Sequence, residues 1–241
     1  MESWLRQCRQ LLADTFAPAR CIDCCGEGTW YCAQCRKNAP IAFQTCIGCK
    51  TSHPRGKTCI SCREDIPLTG IISAGAYTNH ALQRGIEWLK FKGVRPVAEI
   101  LAGIMIPHLQ LIVPFDELSR SALLIPIPLH ARKLQQRGFN QCQDIAEGIS
   151  RICNIEIAPL LIRKKATHSQ ATLRHDARPE NVKDAFALAC SEEEYKNLVT
   201  KKPIIILLDD VTTTGSTLIA AALALPNIPD VSIWCATVAR G

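Results

Sequence analysis

The sequence lacks any long apolar run. Its most hydrophobic stretch, Ile100 to Phe115, is interrupted by Pro107, His108 and Gln110, short of the roughly 18 uninterrupted apolar residues a membrane helix requires, so no span is expected. Met1 to Pro18 is amphipathic and mixed in charge. It has neither the basic start nor the apolar centre and small-residue cleavage site of a secretory signal, which predicts a cytoplasmic location. Aromatic residues are scarce, at 5% of the chain. Only Trp30, Tyr31 and Phe43 fall near the cysteine-rich segment described next, few for a surface that stacks bases.

Cysteine is not scarce. Fourteen occur in 241 residues, and in a reducing compartment metal binding explains such density better than disulfides do. Eight of them form the pairs Cys21/Cys24, Cys32/Cys35, Cys46/Cys49 and Cys59/Cys62, while Cys142, Cys153, Cys190 and Cys235 stand singly among apolar neighbours and read as small core residues. A Cys-x-x-Cys turn presents two sulfurs to one ion, and two such turns complete the closed tetrahedral shell of structural zinc. Two Zn²⁺ ions are therefore expected. Sequential and crossed pairing fit the spacing equally well. Cys25 is read as an unliganded thiol, and His53 finds no vacancy in a complete set of four pairs. Few apolar residues lie between the pairs, so this segment is expected to draw its stability from metal. The formal charge of +6 is weak support for nucleic-acid binding, because coordinated thiols are deprotonated and offset much of it.

The remaining length, with 47% hydrophobic residues overall, suffices for one domain of ordinary size. Residues 1–66 are assigned to an N-terminal helix and double zinc-ribbon module and 67–241 to an α/β domain. Strands are expected near Gly70–Tyr77, Ala122–Ile127, Ile155–Ile162, Ile204–Leu208 and Val231–Val238, alternating with helices that include Asn79–Lys92 and Asn140–Cys153. That alternation predicts a parallel sheet flanked by helices.

The most informative run is Lys202 to Leu218. Ile204 to Leu208 is a continuous β-rich apolar stretch, as in a strand covered on both faces. Asp209 and Asp210 follow, then the hydroxyl-rich Thr212 to Thr217 around Gly215, then an Ala/Leu helix over Leu218–Leu225. A helix start of this kind favours an anion, since its amides are unpaired and its dipole is positive there. Gly215 lets the backbone approach a phosphate, and the hydroxyls add donors. Two carboxylates repel phosphate but accept hydrogen bonds from sugar hydroxyls. A ribose 5′-phosphate fits both halves.

This run resembles the motif by which type I phosphoribosyltransferases bind 5-phosphoribosyl-1-pyrophosphate (PRPP). The order of cysteine pairs, Leu89-Lys-Phe-Lys-Gly93, Pro126-Ile-Pro-Leu129, Arg137-Gly-Phe-Asn-Gln141 and the acidic run further resembles the ComF family of competence-associated, phosphoribosyltransferase-like proteins, over almost the whole chain. The resemblance implies a type I phosphoribosyltransferase fold. It implies that Asp209 and Asp210 hold the ribose hydroxyls, that Thr213, Thr214, Gly215, Ser216 and Thr217 wrap the 5′-phosphate, and that Mg²⁺ accompanies PRPP. Pro128, Leu129 and His130 would form the pyrophosphate loop, with Arg132 and Arg137 as anion contacts. Asp209, Asp210 and Arg137 are the candidate catalytic residues, whereas Phe139 reads as packing. The basic stretch from Arg163 to Phe186 resembles a flexible hood, in which Thr167, Gln170 and Arg178 fit the family pattern. No segment announces an acceptor pocket. Two readings therefore stand: transfer of a phosphoribosyl group to an acceptor, and non-catalytic PRPP binding by a protein that handles single-stranded DNA with the DNA-uptake machinery.

Overall fold

A computed structural model describes residues 18–38, 43–164 and 185–241. Its centre is a five-stranded, wholly parallel sheet in the order β1-β7-β6-β2-β3, formed by β1 (Gly70–Ala76), β2 (Ala122–Pro126), β3 (Glu156–Ile157), β6 (Ile204–Thr212) and β7 (Ser232–Arg240). A separate antiparallel pair joins β4 (Leu161–Arg163) to β5 (Phe186–Leu188). Successive residues of a strand point to opposite faces, and the central strand β6 divides accordingly. Ile206 and Leu208 enter one apolar cluster, Ile205 and Leu207 the other.

The first cluster is covered by helices α2 (His80–Lys92), α3 (Val97–Leu109), α4 (Phe115–Ser121) and α6 (Gln141–Cys153). The second is covered by α7 (Glu192–Lys201) and α8 (Ser216–Leu223). Two further short helices are α1 (Ala33–Lys37) and α5 (Ala131–Arg137). No helix among the described residues is long and apolar enough to cross a membrane.

Local signals explain the helix ends. Asn79 caps α2 by accepting from the Leu82 amide, and Gly93 closes it in the left-handed conformation, where glycine carries no Cβ penalty. Ser191 and Glu194 form a reciprocal capping box at the start of α7.

Three expected elements are corrected. Ile155–Ile162 is not one strand: it splits into β3 and β4 around Pro159, which has no amide hydrogen for a ladder. The strand expected to stop at Leu208 runs on to Thr212, because β7 continues to pair with it at Asp209↔Thr237, Val211↔Ala239 and Thr212↔Arg240. Asp209 and Asp210 thus belong to the strand itself. The helix after the loop spans Ser216–Leu223 instead of Leu218–Leu225, so Ser216 and Thr217 form its first turn. Of the four single cysteines, Cys142, Cys153 and Cys235 are buried and Cys190 is half-buried.

The edge strand β1 would offer unpaired backbone groups to solvent. The cysteine segment covers it. The Ile71 amide donates to the Gly56 carbonyl at 2.9 Å, and the Gln44 side chain donates to Ser73 O at 2.9 Å while accepting from Ser73 N at 3.0 Å. Gln44 in this way substitutes for a missing strand.

Candidate functional site

The eight paired cysteines fall into two groups, Cys21/Cys24/Cys32/Cys35 and Cys46/Cys49/Cys59/Cys62, with the sulfurs of each within 4.8 Å of one another. Pairing is therefore sequential. Cys25 and His53 stand outside both groups. The donor set fits the four-thiolate shell of structural zinc, which leaves no position for chemistry, and backbone amides would support the charge. Cys32 N donates to Cys21 Sγ and Cys59 N to Cys46 Sγ, each at 3.4 Å. Burial works against ionisation of Cys21, yet the amides of Cys32, Asp23 and Cys24 outweigh it and bring that thiol down to about 6.

The two groups are copies of one device. Each reads Cys-Ile-x-Cys, then Cys-x-x-Cys-Arg. In each, the arginine Nε donates at 2.9 Å to a carbonyl five residues back, Arg36 to Tyr31 and Arg63 to Thr58. Cys25 and Lys50 take the same left-handed position after the first pair. The isoleucines Ile22 and Ile47 are buried, one in each apolar cluster, a contribution to packing that the scarcity of apolar residues in this segment concealed.

The second candidate site is a cleft at the carboxyl end of the parallel sheet, where α/β folds place ligands. Asp209 and Asp210 come from β6, Pro128 and Leu129 from the loop after β2, Arg137 from α5, and Thr217 from the first turn of α8; all line the cleft. Lys90, Lys133, Gln141, Cys142 and Arg163 join them; Lys90, Gln141 and Arg163 stand in motifs already singled out, whereas Cys142 departs from the plain core role expected of it. Their distance from one another along the chain conceals the convergence. Arg132 is exposed on α5 and does not line the cleft; its neighbour Lys133 does. His130 caps α5 by accepting from the Arg132 amide. Thr167, Gln170 and Arg178 lie outside the described residues.

The Arg137-Gly-Phe-Asn-Gln141 run works as a pivot between α5 and α6. Gly138 ends α5 with φ +80°. Phe139 packs on the first apolar cluster. Asn140 caps α6 and ties it to β2 through a 3.0 Å bond to Ile127 O, leaving Arg137 bonded to Gln141 at the cleft.

Charge in the cleft is uneven: Lys90, Lys133, Arg137 and Arg163 face only Asp209 and Asp210, an arrangement that attracts anions. Lys90 Nζ lies 2.8 Å from Asp210 Oδ1, with the aspartate side chain only 5% exposed. Burial opposes the Lys90 charge, but Asp210 more than offsets it and raises the ammonium above its ordinary value. Asp210 Oδ2 is buried and has no hydrogen-bond partner among the described residues. Asp209 Oδ1 accepts from the Asp210 amide at 2.9 Å and from Cys142 Sγ at 3.4 Å. Burial, followed by repulsion from Asp210, pushes Asp209 up to about 6. Burial likewise holds Cys142 as a neutral thiol, far above its ordinary range, so it is no nucleophile.

The Asp209 shift has a measurable consequence. Its folded value lies above the ordinary carboxylate value of 3.8, so between about pH 4 and 6 the folded chain holds a proton that the unfolded chain releases, and the contribution of Asp209 to stability declines as pH rises through that window. Asp209→Asn removes the titration. Denaturant unfolding at pH 5 and pH 7 is expected to show the variant gaining stability relative to wild type as pH rises; a constant difference would contradict the assignment.

In the Thr212–Thr217 segment, Gly215 adopts φ +79° as the N-cap of α8. Thr214 Oγ1 donates to Ser216 Oγ at 3.1 Å and accepts from the Ser216 amide at 3.3 Å. These hydroxyls and Thr213 are exposed and, unlike Thr217, do not line the cleft.

No family model matches the chain. Among curated proteins, it is 26% identical over 225 residues to Competence protein F of Haemophilus influenzae, covering 89% of this chain and 95% of that protein. It is 27% identical over 213 residues to the DNA utilization protein YhgH of Salmonella typhimurium, covering 85% and 88%. The Escherichia coli O157:H7 protein of the same name is 25% identical over 207 residues, covering 85% and 82%.

Proposed function

Since these likenesses bear out the resemblance to the ComF family, we propose that the protein binds PRPP with Mg²⁺ in the cleft described above. The observation that carries this reading is the state of Asp210. A buried carboxylate with one oxygen on an ammonium and the other without a donor is incomplete, and a sugar hydroxyl is a neutral donor that completes it. A second carboxylate adjoins it, a hydroxyl-rich stretch begins two residues later at Thr212, and the helix start at Gly215 follows five residues after Asp210. Ribose hydroxyls on Asp209 and Asp210, the 5′-phosphate on Thr213 to Thr217, and pyrophosphate among Lys90, Lys133, Arg137 and Arg163 use all the charged groups of the cleft.

The oxygens of Asp209 and Asp210 lie within 4.8 Å of one another and of Cys142 Sγ. The carboxylate oxygens suit a hard cation such as Mg²⁺, which would take its other ligands from PRPP and water. Bound there, the ion would neutralise charge on pyrophosphate. The chain's own residues do the rest. Arginine and lysine side chains draw the pyrophosphate oxygens away from the anomeric carbon, and the paired carboxylates stabilise positive charge as it develops on the sugar. An acceptor nucleophile would form the new bond to that carbon as the bond to pyrophosphate breaks, without a covalent protein intermediate.

The names of the relatives speak of competence and DNA utilization, and with them stands a second reading, in which PRPP binding regulates the handling of single-stranded DNA. Incubating the protein with Mg²⁺, PRPP and nucleobases, beside a single-stranded DNA binding assay, separates the two. Acceptor-dependent release of pyrophosphate supports the enzyme. DNA affinity that responds to PRPP, with no release under any acceptor, supports the regulator.

Placement on α5 makes a sharper prediction. Lys133→Ala is expected to weaken PRPP binding roughly tenfold, the effect of losing a hydrogen bond to a charged group, while Arg132→Ala leaves it within about twofold. Isothermal calorimetry of both variants is the check, and the reverse ranking would contradict the pyrophosphate placement.

A further inference from the structure

The duplicated cysteine device ends in two different places. Ile22 of the first copy is fully buried and stands 3.6 Å from the point where a Cβ would emerge from Gly85, inside α2. Ile47 of the second copy is 3% exposed. Its Cδ1 and Cγ1 lie 2.7 and 2.8 Å from the corresponding point at Gly215, the left-handed residue that opens α8. Each copy thus presses the isoleucine between its first two cysteines against a glycine of the α/β unit. Only the second meets the phosphate-loop segment.

Further contacts fasten the second copy to the same place. Arg240, the residue paired with Thr212 across β6 and β7, donates through Nη1 to Thr45 Oγ1 at 2.7 Å and Thr45 O at 3.2 Å, and through Nη2 to Cys46 O at 3.4 Å. The Gly241 amide donates to Thr212 O at 2.9 Å. Thr212 at the loop's start and Gly215 at its end are therefore both held, the former through Arg240 and the latter directly by Ile47. The intervening Thr213 and Thr214 are exposed. A loop that must present amides and hydroxyls in fixed directions loses affinity when it is free to wander.

We propose that Ile47 is a positioning residue for the phosphate loop, and that the second four-cysteine site braces this loop through it while the first site does not. Regarding the ligand, the inference rests on the PRPP reading; regarding the brace, it stands on the contacts alone. Glycine at position 215 serves two ends here: it adopts the positive φ and leaves room for the isoleucine.

The test compares wild type, Ile47→Ala, Ile47→Val and Ile22→Ala as full-length chains, each carrying its full zinc complement. PRPP·Mg²⁺ affinity is measured by calorimetry, and amide hydrogen exchange over residues 212–217 is measured without ligand. Ile47→Ala is expected to weaken PRPP binding about tenfold or more and to speed exchange across 212–217. Ile47→Val, which loses Cδ1 but keeps a γ-carbon against Gly215, should fall between wild type and Ile47→Ala in both. Ile22→Ala removes an equally buried side chain and should leave both near wild type. Unchanged exchange over 212–217 in Ile47→Ala would overturn the brace, as would equal loosening by Ile22→Ala. A wild type that ignores PRPP would refute the ligand assignment, with the exchange data still deciding the role of Ile47.

Discussion

Asp210→Asn is expected to reduce PRPP affinity at least a hundredfold, or about 3 kcal/mol. The side chain is 5% exposed and one of its oxygens holds Lys90 at 2.8 Å. An amide there cannot neutralise the ammonium, and one partner of a buried ion pair left alone costs about 3–5 kcal/mol. The variant also turns a buried acceptor without a partner among the described residues into a group that can present a donor instead. Stability and binding should therefore fall together. The double variant Asp210→Asn/Lys90→Met separates them: with both charges gone, stability should recover toward wild type, since a neutral pair often replaces an ionic one without loss, while PRPP binding should remain lost. Because Lys90 is itself placed against the pyrophosphate, recovery of PRPP binding in the double variant would contradict the roles assigned to both Asp210 and Lys90.

Removal of zinc is expected to have the second large effect, reaching beyond the cysteine segment. Few apolar side chains of that segment could hold it folded alone, and free energy of metal binding is folding free energy in such modules. Yet Ile22 and Ile47 are built into the two apolar clusters on opposite faces of the sheet. Gln44 and Gly56 complete the edge of β1. Chelation should thus expose Ile22 and Ile47, a loss on the order of 2–5 kcal/mol each by analogy with truncation of buried isoleucine. Two zinc ions per chain should be found by elemental analysis. After chelation, proteolysis should begin before residue 66 and the remaining α/β unit should melt at a distinctly lower temperature. An unchanged melting temperature would mean that the module merely sits beside the sheet.

How much of this was legible in the sequence depended on how far apart the cooperating residues stand. Ile204 to Thr217 announced strand, acids and loop because all three are contiguous; the strand's end was misplaced, since continued pairing with β7 is a property of another segment, and the helix start was placed two residues late. Pro159 was visible as a ladder breaker inside Ile155–Ile162, and the β3/β4 division follows from it. Spacing could not choose between sequential and crossed cysteine pairing, which depends on how the turns fold back on each other. Lys90, Lys133 and Arg163 reach the cleft from α2, α5 and β4, a convergence no local pattern encodes. The Cys-Ile-x-Cys repeat was a readable signal for Ile22 and Ile47. Its meaning, an isoleucine set against a glycine in each half of the core, required the tertiary contact.

The central claim is that a buried, half-satisfied carboxylate beside a hydroxyl-lined helix start receives a phosphorylated ribose. Calorimetric titration of PRPP into the zinc-loaded protein with Mg²⁺ tests it most directly. Saturable binding at one ligand per chain, lost in Asp210→Asn, is the predicted result. Absence of binding by the intact protein, or binding that survives Asp210→Asn undiminished, would contradict it.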